Sequence, residues 1–313
     1  MIFLLTRNFD IVFFYPRLGC DAFNIIRIRK VFHPEELEQI SKEYVLKPRI
    51  CSSKKVVENL LWKGDCMKID AREIKKRTYD YYSCFCGADI SNFEHGIQFI
   101  CTDERSHILK GFGCKYSIYI LCKEDACIVT YAPKYKSYFN ELTQLKDAKD
   151  LIDTIKQSYP LKGYQLMEFV EERVFEYKDA RMLSRDDYPL FETFFKKAYP
   201  SVSEIDWLKE YYEEKVDKGF FFGYIIDDKL VAVCDAPDMP YMEGYIQHTG
   251  IVTLPEYRRK GYAKLCAALA THHHIKSGIV PQWECALDNI ASIQVSKSIG
   301  YKEFAQAFIF EES

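Results

Sequence analysis

Thr249-Gly250-Ile251-Val252-Thr253-Leu254-Pro255-Glu256-Tyr257-Arg258-Arg259-Lys260-Gly261-Tyr262-Ala263 is the stretch on which the reading of this chain turns. An apolar, strand-like run (residues 246–254) meets a Pro-Glu-Tyr turn, then three cations and a glycine, then a helical pattern. The first N–H groups of a helix have no internal partner, and the helix dipole adds partial positive charge there. Strand, short basic turn and helix therefore predict an anion site, and Gly261 lets the backbone come close to a phosphate. The arrangement suits a pyrophosphate.

Downstream, the helix after Gly261 carries Leu265, Ala268, Leu269, His272 and Ile275 along one face, and Ser277-Gly278 stops it. Residues 280–286 read as a strand. Asp288 or Asn289 then caps a helix holding Ile293 and Ile299, Gly300 ends it, and residues 301–310 close in a strand. Upstream, residues 180–183 read as a short strand, and Ser184 with Asp187 as a capping box. Two helices follow, the first carrying Leu190, Phe191, Phe194 and Phe195 and the second spanning residues 204–216. Apolar runs at 220–226 and 230–234, split by Asp227-Asp228-Lys229, predict a hairpin.

This order of elements over residues 178–313, with Arg-x-x-Gly-x-Ala at 258–263, resembles the GCN5-related N-acetyltransferases (GNAT). Their signature is Gln/Arg-x-x-Gly-x-Gly/Ala. The resemblance implies an α/β fold with a mixed sheet and acetyl-coenzyme A as cosubstrate. It makes Arg258, Arg259, Lys260, Gly261, Tyr262, Ala263 and Lys264 the pyrophosphate cradle. It assigns to the backbone of Ile251, Val252 and Thr253 the pairing with pantetheine and the polarisation of the acetyl carbonyl. Trp283, Cys285, Asn289, Ser292 and Gly300-Tyr301 more loosely resemble a subgroup related to the zwittermicin-resistance acetyltransferases, in which an extra N-terminal domain is present.

Glu284 is the candidate general base. Strand alternation sets it opposite Trp283 and Cys285, and it stands five residues before Asn289, as a catalytic Glu does in the ribosomal-protein branch of the family. An ordinary exposed strand carboxylate is the competing reading, and Glu243 and His248 are competing bases. Cys285 reads as core. Asn289 is expected to bond the pantetheine arm, to cap its helix, or both. Many relatives have a tyrosine general acid four residues before the closing glycine; here that position is Ser296, a poorer proton donor. Water, Tyr262 or Tyr301 are the other candidates for protonating the thiolate.

The chain has 313 residues, too many for one average domain. Pro160, Gly163 and Lys178-Asp179 suggest a division near residue 177, into an N-terminal α+β domain (1–177) of unknown role and the acetyltransferase-like domain (178–313). In the N-terminal part a helix is expected from His33-Pro34-Glu35-Glu36 onward, a hairpin over residues 116–131, and a helix within 145–159. Gly111-Phe112-Gly113 reads as a turn. A net charge of −3 gives no basic field for nucleic acid, so none is expected as a partner. The apolar start at Met1 is broken by Arg7 and Asp10, and no long apolar run occurs, so neither a signal peptide nor a membrane span is expected. The twelve cysteines read mostly as reduced core residues of a cytoplasmic protein. Cys84, Cys86, His95, Cys101 and His107 lack the usual Cys-x-x-Cys spacing, and His272-His273-His274 point in different directions on a helix. No metal is expected.

The function expected is acetyl transfer from acetyl-coenzyme A to a primary amine of a small molecule, by direct attack in a ternary complex. The N-terminal domain is expected to shape the acceptor pocket or support a homodimer. The rival expectation is a non-catalytic acyl-coenzyme A sensor or scaffold.

Overall fold

The computed structural model describes residues 69–312 and, before them, the backbone of three strands. Two compact units divide the chain, Met1–Cys66 and Met67–Ser313. In the first, β1 (Ile2–Leu5), β2 (Ile11–Pro16) and β3 (Phe23–Ile28) form an antiparallel sheet in that order. The helix expected after His33 lies outside the described residues.

The second unit opens with α1 (Ala71–Cys86). Asp70 caps it by accepting from the Glu73 N–H at 2.8 Å, and Gly87 ends it in the left-handed conformation, φ +61°. Ile74, Thr78, Tyr81, Tyr82 and Phe85 recur at helical spacing and are buried. There follow β4 (Gly96–Cys101), β5 (Lys115–Lys123), β6 (Ala126–Tyr131), α2 (Lys136–Leu142), α3 (Ala148–Ser158) and β7 (Lys162–Phe169). Cys122 and Cys127 face each other across β5 and β6 and form a disulfide, whereas seven other described cysteines are free thiols.

After β8 (Ala180–Met182), the Ser184–Asp187 capping box opens a short turn that runs into α4 (Tyr188–Ala198). Next come α5 (Leu208–Asp217) and the hairpin of β9 (Phe222–Ile226) and β10 (Lys229–Asp235). The strand expected over 246–254 is two strands, β11 (Ile246–His248) and β12 (Gly250–Thr253). The last elements are α6 (Tyr262–Lys276), β13 (Val280–Ala286), α7 (Ile290–Ser298) and β14 (Tyr301–Glu312).

These strands form a mixed seven-stranded sheet, β11-β13-β7-β14-β5-β6-β4, and a four-stranded sheet, β12-β10-β9-β8. Residue 177 lies inside this unit, and strands from both sides of it share the larger sheet. β7 pairs antiparallel with both β13 and β14, and β14 pairs with β5. One large core spans that junction. It joins Tyr81, Tyr82 and Phe85 of α1 to Met167 and Phe169 of β7 and to Trp283 of β13. A separate cluster under α4 and α5 holds Phe191, Phe194, Tyr212, Phe221 and Val233. Among the described residues no helix is long and apolar enough to cross a membrane.

Candidate active site

Between β11 and β12 the chain leaves one sheet and enters the other. β11 runs parallel to β13 through His248 and Gln282, and the Thr249 N–H then donates to the Gln282 carbonyl at 3.0 Å. Beyond that bond β12 pairs with β10, while residues 283–286 of β13 pair with β7 on the far side. The two strands therefore splay, and each turns an edge with no strand partner toward the gap between them. A cleft of about 730 Å³ fills the region.

The basic turn closes one end of the cleft. Pro255, Glu256 and Tyr257 make a single 3-10 turn after β12. Arg259 and Gly261 both adopt positive φ, +62° and +85°. Gly261 is the N-cap of α6, and a Cβ built on it meets nothing within 4 Å. Space is therefore not what demands glycine here; the left-handed backbone is. The open N-terminus of α6 presents unpaired N–H groups to this space.

Ile251, Val252, Thr253, Arg258, Arg259, Gly261, Tyr262, Ala263, Lys264 and Asn289 all line this one cleft. Asn289 also caps α7, its side chain accepting from the Ser292 N–H at 3.1 Å. Lys260 does not line the cleft; its ammonium sits 5.0 Å from the centre of the Tyr257 ring. Ser292 and Ser298 of α7 line it as well, as does Gln294. Sequence reading passed over Gln294 and Ser298, and named Ser292 only within the looser resemblance without placing it in the site, although it falls one helical turn after the capping Asn289. The Ser292 hydroxyl accepts from the Trp283 indole N–H at 3.0 Å.

The residues fit a pyrophosphate-bearing pantetheine. The turn faces open space, the cations stand beside it, and the buried Thr253 hydroxyl on the cleft wall has no hydrogen-bond partner among the described residues.

Glu284 lies on the opposite face of β13 from Trp283 and Cys285, as alternation predicts. Its Oε1 accepts from the Tyr82 hydroxyl at 3.0 Å and stands 3.4 Å from His248 Nε2, without hydrogen-bond alignment to that ring. The carboxylate is partly exposed, at 27%. Burial, and then the Glu284 charge, push the Tyr82 phenol well above its ordinary range, so it remains a donor. The Tyr81 ring packs edge-on against His248. Glu284, His248, Tyr81 and Tyr82 thus form one polar cluster beside the splay.

The other sequence candidates separate from this cluster. Ser296 is fully buried, its hydroxyl donates to the Ile293 carbonyl at 2.8 Å, and it is not part of the cleft wall, because its turn of α7 faces the core. The Tyr301 hydroxyl is buried against Thr271 at 3.1 Å. Tyr262 lines the cleft and stacks on Tyr224 with ring centres 4.5 Å apart. Glu243 is engaged by Lys110 and Lys218. Cys285 is buried, and burial raises its thiol pKa, the opposite of what a nucleophile needs. His272 pairs with Glu172 at 2.7 Å while His274 is buried, so the histidine run diverges.

Comparison with known proteins agrees with the architecture. The model of the GNAT acetyltransferase family matches residues 131–308, more than half of the chain. The chain belongs to the GNAT acetyltransferase family, a family of acyltransferase enzymes. It is similar to the uncharacterized N-acetyltransferase YdfB of Bacillus subtilis (strain 168), 29% identical over 107 residues, which are 32% of this chain and 40% of that one. The match thus spans two fifths of that relative's length. Among solved structures, a GNAT-family acetyltransferase from Colwellia psychrerythraea is 16% identical, with 63% of this chain and 81% of that one covered and a TM-score of 0.44. A putative acetyltransferase from Salmonella typhimurium, solved with its cofactor acetyl-CoA, is 15% identical over 42% of this chain and 90% of that one, at a TM-score of 0.34.

Proposed function

We propose that this protein transfers an acetyl group from acetyl-coenzyme A to the primary amine of a small molecule, by direct attack within a ternary complex. The observation that carries the reading is the convergence of the β12 edge, the left-handed turn at Arg259 and Gly261, and Asn289 on a single cleft. When bound, the thioester would supply an activated acyl carbon.

The chain's own residues would do the rest. The N–H groups at the start of α6, with Arg258 and Arg259, would hold the pyrophosphate. The free edge of β12 would pair with the pantetheine and donate to the acetyl oxygen. Glu284, held by Tyr82, would take the proton of the attacking amine, directly or through one water. The new C–N bond forms as the C–S bond breaks, and coenzyme A departs as a thiolate that takes a proton from solvent to become the free thiol.

Calorimetric titration of the full chain with acetyl-coenzyme A tests the cofactor half of this reading, with Gly261→Glu beside it. Binding by the native chain and none by the variant is the expected result. No binding by either would overturn it. Acceptor-dependent release of free thiol tests the catalytic half.

The burial of Ser296 favours one competing reading, a non-catalytic acyl-coenzyme A sensor, because the position occupied by a tyrosine acid in many relatives presents no hydroxyl to the cleft. Binding without thiol release across a panel of amines would select it.

A further inference from the structure

A second cavity, of about 350 Å³, lies on the other face of β12. Ile251 packs into the large core, while its neighbour Val252 packs with the α4–α5 cluster, and Val252 lines both cavities. The strand proposed to hold the acyl group is therefore a shared wall.

The rest of the wall is aromatic. Phe191, Phe194, Phe195, Tyr199, Trp207 and Tyr211 come from α4, α5 and the residues that end and join them. Two carboxylates, Asp235 and Asp238, enter the same cavity, and no Lys, Arg or His is among its described lining residues. The buried Lys215 ammonium engages Asp238. Asp235 has no cation within ion-pair distance among the described residues; the Tyr211 hydroxyl lies 3.5 Å from its Oδ2.

Backbone register explains how Asp235 comes to face this space. It stands opposite Gly250 in the β10–β12 ladder, and its Oδ1 would lie 2.2 Å from a Cβ at that position. Glycine at 250 is what lets the carboxylate lie over β12. Val252 is two residues along the chain in one direction, on β12, and His248, at the end of β11 beside Glu284, two in the other. Gly111, at φ +80°, closes the rim against the Asp238 backbone.

We propose that this cavity is the acceptor subsite and that its occupant is an arylalkylamine, its ring among the α4–α5 aromatics and its nitrogen at Asp235 beside β12. This rests on the acetyltransferase reading above. An aromatic cage with one carboxylate outside any ion pair, reached only by the more distant Lys215 charge, suits a single ammonium, through ion pairing and ring faces together. The volume is near the lower end of small-molecule sites, about 300–1,000 Å³, which suits one or two rings and excludes a multi-ring aminosugar. Burial holds the Asp235 carboxyl above the usual carboxylate range, so an arriving ammonium would relieve a desolvated charge.

The test uses the full chain with phenethylamine, tryptamine, spermidine and kanamycin as acceptors, read by thiol release, and phenethylamine binding read by calorimetry without acetyl-coenzyme A. The arylalkylamines are expected to exceed the other two by about tenfold or more in kcat/KM. Asp235→Asn should raise the phenethylamine KM by about tenfold or more while leaving acetyl-coenzyme A affinity unchanged. Phe195→Ala, at the exposed side of the cage, should raise the same KM several-fold, and it carries the test if the Asp235 variant does not fold. Preference for spermidine or kanamycin, or an unchanged KM in folded variants, overturns the assignment while leaving the acetyltransferase reading intact. Phenethylamine binding that is lost in the variants, in a protein that never releases thiol, upholds the pocket and sinks the acetyltransferase reading.

Discussion

The Tyr82 hydroxyl donates to Glu284 Oε1 at 3.0 Å, a bond between residues 202 positions apart that fastens α1 to β13 beside the sheet splay. The bond fixes where that carboxylate stands relative to the gap between β12 and β13. Tyr82→Phe should therefore release the carboxylate from this anchor, with a several-fold loss of kcat near neutrality and unchanged acetyl-coenzyme A affinity. An unchanged kcat in the folded variant would show that Tyr82 is only packing.

Glu284→Gln removes the proposed proton acceptor itself. A positioned base contributes about 10²–10⁴ in rate, so kcat should fall by at least about a hundredfold. Acetyl-coenzyme A affinity, measured by calorimetry, should not change, because Glu284 does not line the proposed cofactor cleft. Turnover comparable to that of the native chain across pH 6 to 9 (below the pKa of an alkylamine, about 10, where its free base is the minor form) would remove Glu284 from the reaction.

Gly261→Ala separates backbone conformation from side-chain clash. A Cβ at 261 meets open space, but φ +85° costs an L-residue about 1–2 kcal/mol. The turn should relax, lowering acetyl-coenzyme A affinity by about fivefold to tenfold. Lysine at the same position should bind no better than alanine if backbone geometry, and not charge, sets the cradle.

His274 gives the fold an acid limit. It is buried between Phe220 and Phe222, and burial lowers its pKa from 6.5 to about 3. The folded state thus holds it neutral while the unfolded chain takes up a proton below 6.5. Its contribution is fully present above pH 6.5 and is lost as pH falls toward about 3. At pH 5.5 the loss is about 1 kcal/mol. His274→Phe keeps the ring packing without the titration, so its Tm should decline less between pH 7 and 5 than that of the native chain. Parallel declines would place the acid sensitivity elsewhere.

Sheet topology predicts where the chain can be cut. A fragment of residues 178–313 lacks β7, which lies between β13 and β14, and lacks β5, the other partner of β14. It should be insoluble or expanded by circular dichroism and scattering. A fragment of residues 67–313 keeps every strand of both sheets and should unfold cooperatively. The reverse outcome would argue that β7 is dispensable to the fold.

The convergence of the basic turn and the β12 edge on one cleft was legible because its determinants are local. A strand, Pro255, three cations and Gly261 occur in one run, and each states its own conformation. α1 was legible too and was passed over: Asp70 with Glu73 marks its start, and Ile74, Thr78, Tyr81 and Phe85 keep helical spacing. The insertion of β7 between β13 and β14 was not legible. Pairings across more than 100 residues leave no periodic trace in either strand, and Pro160 and Gly163 read as a boundary when they lead into a central strand. The break at Thr249 was hidden for a related reason: alternation continues through it while the pairing partner changes from β13 to β10. The aromatic cavity could not be foreseen from composition, since Asp235, Gly250 and Trp207 meet only through register and helix packing.

The placement of β14 has a consequence for synthesis of the chain. Strands β5 and β7 leave the ribosome early, yet each waits for residues 301–312 to fill the gap between them. Until then both carry bare hydrogen-bonding edges rich in Ile, Leu, Tyr and Met, the kind of surface that recruits other chains. The most vulnerable moment of this protein therefore precedes residues 301–312, and premature termination just before them would yield an aggregating chain rather than a weakened enzyme.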